Sequence, residues 1–211
     1  MECLRGDRRL FRDLSFSLTP GTLLQITGPN GSGKTSLLRI LCGLTTAESG
    51  EIKWHGAEIR SLAEEYSRSI AYIGHRVAVK EELSSIENLR ISSGLAGCEL
   101  THGQAQQALA RVGLAGRENL PARFLSEGQR RRSALARLIN CTAVLWILDE
   151  VLASLDHAAV TLVETLISEH LSKGGMAIVA THLELHISAG LFHRLELESP
   201  GSSTARKGSP S

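Results

Sequence analysis

Eight consecutive residues, Gly28-Pro29-Asn30-Gly31-Ser32-Gly33-Lys34-Thr35, combine three glycines with an ammonium and a hydroxyl. Gly28, Gly33, Lys34 and Thr35 satisfy the spacing G-x-x-x-x-G-K-[ST]. Backbone N–H groups can turn inward around an anion only where side chains do not block them, and glycine supplies that freedom. The spacing therefore points to a phosphate cradle, with Lys34 reaching the β- and γ-phosphates and the Thr35 hydroxyl ligating Mg²⁺. The bland alternative is a glycine-rich turn between two ordinary elements.

A cradle does not hydrolyse anything by itself. The stretch "VLWILDE" (144–150) ends an apolar run on two carboxylates, Asp149 and Glu150. Asp149 stands at the strand end, where a carboxylate can hold Mg²⁺ through water. Glu150 follows, pointing away from the strand, and is the candidate general base for an attacking water. A third stretch, "FLSEGQRRRSALAR" (124–137), places Ser126, Gly128 and Gln129 before an Arg- and Ala-rich helix. A Ser/Gly pair at a helix start can serve as a second anion site, or as a simple N-cap with a solvated arginine face.

Elements must carry these residues to one place. "TLLQIT" (22–27) reads as a buried parallel strand leading into the glycine loop, and "TSLLRILCGL" (35–44) as the helix after it. The positive N-terminal end of that helix adds to the cradle, which extends the candidate contacts to Ser36. Leu14, Phe16 and Leu18 alternate before a turn at Pro20-Gly21, "SGEIKW" (49–54) reads as a turn and strand, and "SIAYIGH" (69–75) as a short apolar strand. The pattern is helical from about 81 to 142, including 103–112 and 127–139. "AVLWILDE" (143–150), "AAVTLVETLISEHL" (158–171) and "MAIVATH" (176–182) then read as strand, helix and strand. The layout is α/β: a parallel core, about 1–74 and 143–198, interrupted by a helical subdomain at about 75–142. "SPGSSTARKGSPS" (199–211) has the composition of a disordered tail.

Bulk properties narrow the partners. The chain has 211 residues and 42% hydrophobic content, enough for one domain with a sizeable core. A net charge of +1 supplies no general attraction to nucleic acid or acidic lipid. Cys3, Cys42, Cys98 and Cys141 lie far apart without metal-ligand spacing, which fits a reduced compartment. No apolar run is long enough to cross a bilayer, and the N-terminus does not read as a signal peptide. His182 and His186 stand at i, i+4, but no third metal ligand accompanies them.

The order of the motifs carries a resemblance. The loop at 28–35, "LSEGQ" at 125–129, "LWILDE" at 145–150, "SLD" at 154–156 and "TH" at 181–182 resemble the ATP-binding subunits of ABC transporters over about residues 2–197. The resemblance implies a P-loop NTPase core with an N-terminal antiparallel β region and a helical subdomain. It implies ATP and Mg²⁺ as cofactors, with Thr35 and Asp149 as metal contacts. It also implies a head-to-tail dimer of two copies. In that dimer Ser126, Gly128 and Gln129 would face the γ-phosphate held by the partner, Asp156 would communicate across the interface, and His182 would contact the γ-phosphate. Lys34, Glu150 and His182 are then the catalytic candidates.

Three departures are informative. His75 stands where such subunits usually carry glutamine, and it can still hydrogen-bond a water or a Mg²⁺-bound ligand. It is a candidate nucleotide contact and a further metal contact. Arg5 falls near the position of an adenine-stacking aromatic, and a guanidinium can stack on a purine or remain solvated. Val151 replaces a usual proline, which frees φ beside Glu150. Together with Glu127 in the signature, Val151 points to slow turnover.

The pattern of "YIGHRVAVKEELSSIENL" (72–89), with "PNGSGKTSLLRILCGL", "GQRRRSALARL" and Trp146, is similar to the cytochrome c maturation ATPase, or CcmA, family. That resemblance implies an ATP-hydrolysing motor for haem handling in c-type cytochrome biogenesis. It would sit peripherally on the cytoplasmic face of the bacterial inner membrane, with an integral-membrane permease and other maturation proteins as partners. Val77, Val79, Leu83 and Ile86 would then form a docking face for the permease, with Lys80, Glu81 and Glu82 setting register; the alternative is that these apolar residues are core. Rival readings are the motor of another ABC exporter, a soluble ABC ATPase acting on nucleic acid or the ribosome, and a non-enzymatic nucleotide-binding module. Glu150 speaks against the last. A single cassette without coiled-coil heptads or a basic arm argues against nucleic acid.

Overall fold

The computed structural model describes residues 1–6, 8–75 and 78–198, together with the backbone of 206–207. The chain begins with an antiparallel hairpin, β1 (Cys3–Arg5) and β2 (Arg8–Phe11). β3 (Thr22–Thr27) enters the glycine loop and α1 (Lys34–Leu41) leaves it. β4 (Lys53–Trp54) and β5 (Ala57–Glu58) form a second small hairpin, and α2 (Ala63–Ser69) leads into β6 (Ile70–Ile73). Then come α3 (Ser85–Leu95), α4 (His102–Arg111) and α5 (Glu127–Leu135), before β7 (Leu145–Asp149). α6 (His157–Ser172), β8 (Met176–Ala180) and β9 (Leu191–Glu196) complete the core. β10 (Arg206–Lys207) pairs antiparallel with β9.

The main sheet runs β10-β9-β3-β8-β7-β6, and every pairing among β3, β6, β7, β8 and β9 is parallel. Period-two alternation inside continuous apolar runs puts side chains on both faces, as buried parallel strands require. Leu24, Ile26, Ile147 and Ile178 pack with Leu37, Leu38 and Leu41 of α1. Leu23, Trp146, Leu148 and Val179 pack on the other side with Val163, Leu166 and Ile167 of α6. A third cluster, Ile86, Leu89, Ala105, Leu109 and Ala136, joins α3 and α4 to the end of α5.

Several expected elements take a different form. Leu14, Phe16 and Leu18 share the α1-side core but belong to no strand, so their alternation reflects burial without a pairing partner. The strand expected over 49–54 contracts to Lys53–Trp54, closed by His55 and Gly56, both with positive φ, as a two-residue hairpin turn demands. α1 stops at Leu41, not at 44. Gly43 adopts φ +71° and its N–H, with that of Leu44, satisfies the last carbonyls. α5 ends at Leu135 and continues as a 3₁₀ turn over Ala136–Leu138. The β1–β2 hairpin is the N-terminal antiparallel region that the resemblance implies, while α2 and β9 have no counterpart among the sequence expectations.

In the segment proposed for docking, Ile86 is buried in the α3–α4 cluster, which corrects its placement on an outer face. Asn88 ties the loop before it: its amide donates to the carbonyls of Lys80, Leu83 and Ser84 and accepts from Lys80 N. Val79 and Leu83 are half-buried, while Val77 and most of the tail at 199–211 lie outside the described residues.

Candidate functional site

The parallel strands β3, β7 and β8 end side by side, with Ile26 opposite Ala180 and Ala180 opposite Asp149. In an open parallel sheet, ligands bind outside such carboxyl ends. The glycine loop closes here because of its backbone. Gly28 has φ +139°, and a Cβ on it would stand 2.3 Å from the Leu197 carbonyl oxygen. Gly33 has φ +101°, and a Cβ there would press on Leu10 and Phe11, so β2 packs directly against the loop. No side chain caps the first turn of α1, whose N-cap is Gly33. The positive end of the helix therefore stays available at the loop. Ser32 Oγ is fully buried in this loop without a hydrogen-bond partner, a polar atom waiting for an acceptor or donor.

Lys34 connects the loop to two residues from distant strand ends. Its ammonium donates to the carbonyls of Gly28 (2.8 Å) and Pro29 (3.3 Å). It lies 3.1 Å from His182 Nε2 and 3.7 Å from Glu150 Oε1. His182 Nε2 is in turn 3.5 Å from Glu150 Oε1. Lys34, His182 and Glu150, the three residues that the resemblance names as catalytic candidates, thus form a triangle at the mouth of the cradle. A carboxylate in that position can take a proton from water, and the imidazole can hold a polar group of the substrate.

Glu150 lies just beyond β7 in a left-handed backbone, φ +53°. For a residue with a Cβ this costs about 1–2 kcal/mol. The backbone is held on both sides: Glu150 N–H donates to the Ala180 carbonyl at 3.0 Å, and the Glu150 carbonyl accepts from Arg131 Nη1 at 2.6 Å. Val151, where a proline was expected, is buried in the α6-side core and anchors the next residue by packing instead.

A second pair joins a hydroxyl to a carboxylate. Thr35 Oγ1 donates to Asp149 Oδ1 at 3.1 Å, and Tyr72 O–H approaches Oδ2 at 3.5 Å. Asp149 is fully buried. Burial pushes its carboxyl above the ordinary range, against the Thr35 hydrogen bond that lowers it. The Tyr72 phenol is pushed up to about 12 by burial and then by Asp149, so it remains a protonated donor. Hard oxygen donors on a hydroxyl and a carboxylate suit Mg²⁺, and these two residues fit it. Tyr72 escaped the sequence reading; its only signal is one polar atom in an apolar strand. Among the described residues no group of three or more His, Cys, Asp or Glu could hold a metal by themselves. His186 goes to Glu164 on α6 (3.6 Å), away from His182.

The third motif is built as a capping box. Ser126 Oγ accepts from Gln129 N–H (3.2 Å), and Gln129 Oε1 accepts from Ser126 N–H (3.0 Å). A Cβ on Gly128 would only touch the Ser154 carbonyl, and Asp156 caps α6 by accepting from Ala159 N–H at 2.8 Å. The arginine face is not wholly solvated. Arg131 turns inward and is buried, and its Nη2 donates to the His75 carbonyl at 3.3 Å. His75 itself is exposed at the end of β6, near enough to Asp149 to favour its ionised form. Arg5 is exposed at the end of β1, opposite Arg8 across the hairpin, and no hydrogen bond or ion pair joins it to the loop. The four cysteines are free thiols.

The chain is similar to known proteins in sequence and in fold. A family described as ABC transporter matches residues 11–153. The chain is 55% identical to the cytochrome c biogenesis ATP-binding export protein CcmA of Nitrosomonas europaea, over 93% of this chain and 92% of that one. It is 54% identical to the protein of the same name from Nitrosospira multiformis, over 93% and 96%. Its fold matches an ABC transporter ATP-binding protein from Pyrococcus furiosus with TM-score 0.77 and 23% identity, covering 89% and 91% of the two chains. It also matches the dimeric ATP-binding cassette MJ0796, in a post-hydrolysis state bound to ADP and Pi, with TM-score 0.78 and 19% identity, covering 98% and 94%.

Proposed function

The chain belongs to the ABC transporter ATP-binding family and, within it, to the cytochrome c biogenesis ATP-binding export proteins, and from that premise we propose that it is the ATP-hydrolysing motor of a transport complex for haem handling in c-type cytochrome biogenesis. The observation that carries the chemistry is the Lys34–Glu150–His182 triangle beside the Thr35–Asp149 pair.

The reaction is ATP + H₂O → ADP + phosphate. The loop from Gly28 to Ser36 binds the phosphates through backbone N–H groups, and Lys34 moves from its carbonyls to the phosphate oxygens. Thr35 and Asp149 would hold Mg²⁺, which would supply positive charge to offset that of the phosphates. Glu150 Oε1 accepts the proton of the attacking water. His182 Nε2 hydrogen-bonds the γ-phosphate and keeps it in line. Arg5 and His75 remain candidate contacts at the rim of this site, His75 toward the Mg²⁺ as well.

A second copy of the chain completes the site. The first turn of α5, with Ser126, Gly128 and Gln129, closes on the γ-phosphate held by its partner, and Asp156 carries the coupling between subunits. No helix among the described residues is long and apolar enough to cross a membrane. Kinship with the cytochrome c biogenesis ATP-binding export proteins supports a peripheral position on the cytoplasmic face of the inner membrane, against an integral-membrane permease and other maturation proteins. The helical group α3–α5 is the subdomain that meets the permease. Its surface exposes Ile91, Leu95 and Phe124, and Val79 and Leu83 are half-buried.

Two variants of the purified complex test the chemistry. Lys34→Ala should abolish ATP binding. Glu150→Gln should keep binding, lose hydrolysis and trap the closed dimer. Equal ATPase rates in wild type and Glu150→Gln would remove Glu150 as the base.

A further inference from the structure

Arg131 is the one signature-helix arginine drawn into the interior, and its guanidinium reaches two separate backbone segments. Nη1 donates to the Glu150 carbonyl at 2.6 Å, and Nη2 donates to the His75 carbonyl at 3.3 Å. Its neighbours on α5 do otherwise: Arg130 pairs with Glu81 on the surface, and Arg132 lies against Gly113. Arg131 is 6% exposed, and its Nε is buried without a partner. A buried donor left unpaired is costly. Only the two terminal nitrogens are used: each donates to one carbonyl, and Nη2 also stands 4.0 Å from the carboxylate of Glu127, which is itself exposed, so the two carbonyls are the hydrogen-bond partners that offset the burial of this cation.

Those carbonyls belong to adjacent strand ends. β6 pairs with β7 in parallel, so the segments that leave them, through His75 and Glu150, exit at the same edge of the sheet. The Glu150 peptide carries the carboxylate that stands 3.7 Å from Lys34 and 3.5 Å from His182. It does so in a left-handed backbone that an L-residue leaves unless held. A planar two-nitrogen fork fixes both the separation and the orientation of two carbonyls, whereas the rotating donors of an ammonium fix neither.

We propose that Arg131 is a positioning residue for hydrolysis: it locks the backbone of Glu150 to that of His75, and makes the placement of the water-activating carboxylate depend on where α5 sits. The inference rests on Glu150 being the base. α5 begins at Ser126 and Gly128, so a shift of this helix at the dimer interface moves the fork and relaxes the Glu150 peptide. Binding of ATP uses the loop and Lys34, which the fork does not touch. Arg131 therefore acts on turnover and not on affinity.

The test is steady-state ATPase kinetics and direct ATP binding on the assembled complex. The variants are Arg131→Met, Arg131→Lys, Glu150→Gln and the double variant Arg131→Met/Glu150→Gln. Arg131→Met keeps the apolar stem and removes the fork. It should lower kcat about tenfold or more, with KM and ATP affinity within about twofold of wild type. Arg131→Lys should recover part of the rate. On the Glu150→Gln background, Arg131→Met should change the residual rate by less than about twofold, because the two residues act as one unit. Should Arg131→Met fail to fold, Arg131→Lys carries the test through the same drop in kcat at unchanged KM. The proposal is overturned if the folded variant turns over at the wild-type rate. It is equally overturned if affinity falls in step with rate, or if Arg131→Met costs as much on the Glu150→Gln background as on wild type. Wild-type turnover by Glu150→Gln would instead remove the base itself, and the two failures are thus separable.

Discussion

Thr35 Oγ1 hydrogen-bonds Asp149 Oδ1 at 3.1 Å although the two residues are 114 positions apart. The contact joins the first residues of α1 to the last residue of β7. It does so around a carboxyl that is fully buried. Burial of a carboxyl is tolerated where it is hydrogen-bonded and has a task, here the proposed capture of Mg²⁺.

That burial has a pH signature. The folded carboxyl of Asp149 lies above its ordinary range, so between the unfolded value and the folded one the native state binds more protons. Its contribution to stability therefore falls as pH rises through that window. Asp149→Asn should raise the melting temperature of the nucleotide-free protein at neutral pH, and the gain should shrink as pH falls towards about 4. The same variant should lose the additional stabilisation that Mg²⁺ gives in the presence of ATP. Thermal melts across pH, with and without Mg²⁺-ATP, provide the check. A variant less stable than wild type at neutral pH would contradict the expectation.

Gly28 is required by space as much as by conformation. Gly28→Ala brings a Cβ to 2.3 Å from the Leu197 carbonyl, a backbone atom with little room to yield. The predicted loss is about 1–3 kcal/mol of stability. A reduction of ATP affinity should accompany it, since the loop must open to relieve the contact. Denaturant unfolding together with nucleotide titration measures both. An unchanged unfolding midpoint would show that the loop and the β9 end separate freely.

Gly128 separates folding from assembly. A Cβ there meets the Ser154 carbonyl at 3.4 Å, an ordinary contact, so Gly128→Asp should fold with its own phosphate loop intact. In the head-to-tail dimer the new carboxylate would face a γ-phosphate, and like charges repel at that range. ATPase activity should fall at least about tenfold while ATP binding by the isolated chain persists. Mixed dimers of Gly128→Asp and Lys34→Ala subunits that retained full activity at both sites would refute that arrangement.

A histidine on the opposite side of the sheet sets an acid limit on stability. His170 stacks on Trp146, with ring centroids 3.9 Å apart, and its Nε2 lies 3.0 Å from the Val144 carbonyl and 3.2 Å from that of Met176. Burial lowers its pKa, against the two hydrogen bonds that raise it. The stability it contributes is present above the ordinary value of about 6.5 and is lost as pH falls through the folded value. His170→Phe keeps the stack and should flatten that acid limb. Gly175→Ala should destabilise at every pH, because its Cβ would overlap the imidazole at 2.3 Å. Melting curves from pH 5 to 8 distinguish the two effects.

The phosphate loop, the strand ending in Asp149 and Glu150, and the Ser126–Gln129 cap were legible in the sequence because each depends on neighbours a few residues away. Backbone sterics at glycine, period-two burial and the reach of a side chain to its own helix start are local constraints, and spacing expresses them directly. The family resemblance added the expectation that these pieces meet, and the meeting of Lys34 with Glu150 and His182 agrees with it. What the tertiary structure decided were relationships without a local signal. Arg130, Arg131 and Arg132 are three identical residues in a row, and only the packing of α5 against the ends of β6 and β7 selects Arg131 as the one that turns inward. The parallel register of β6 against β7 puts Tyr72 beside Asp149 and His75 beside the segment of Glu150. Leu14, Phe16 and Leu18 announced a buried face, but whether a strand pairs there depends on which backbone edge is free, which no period in the sequence encodes. Local patterns specify which residues can do chemistry; the closure of loops more than a hundred residues long specifies which of them touch, and that is a property of the packed sheet alone.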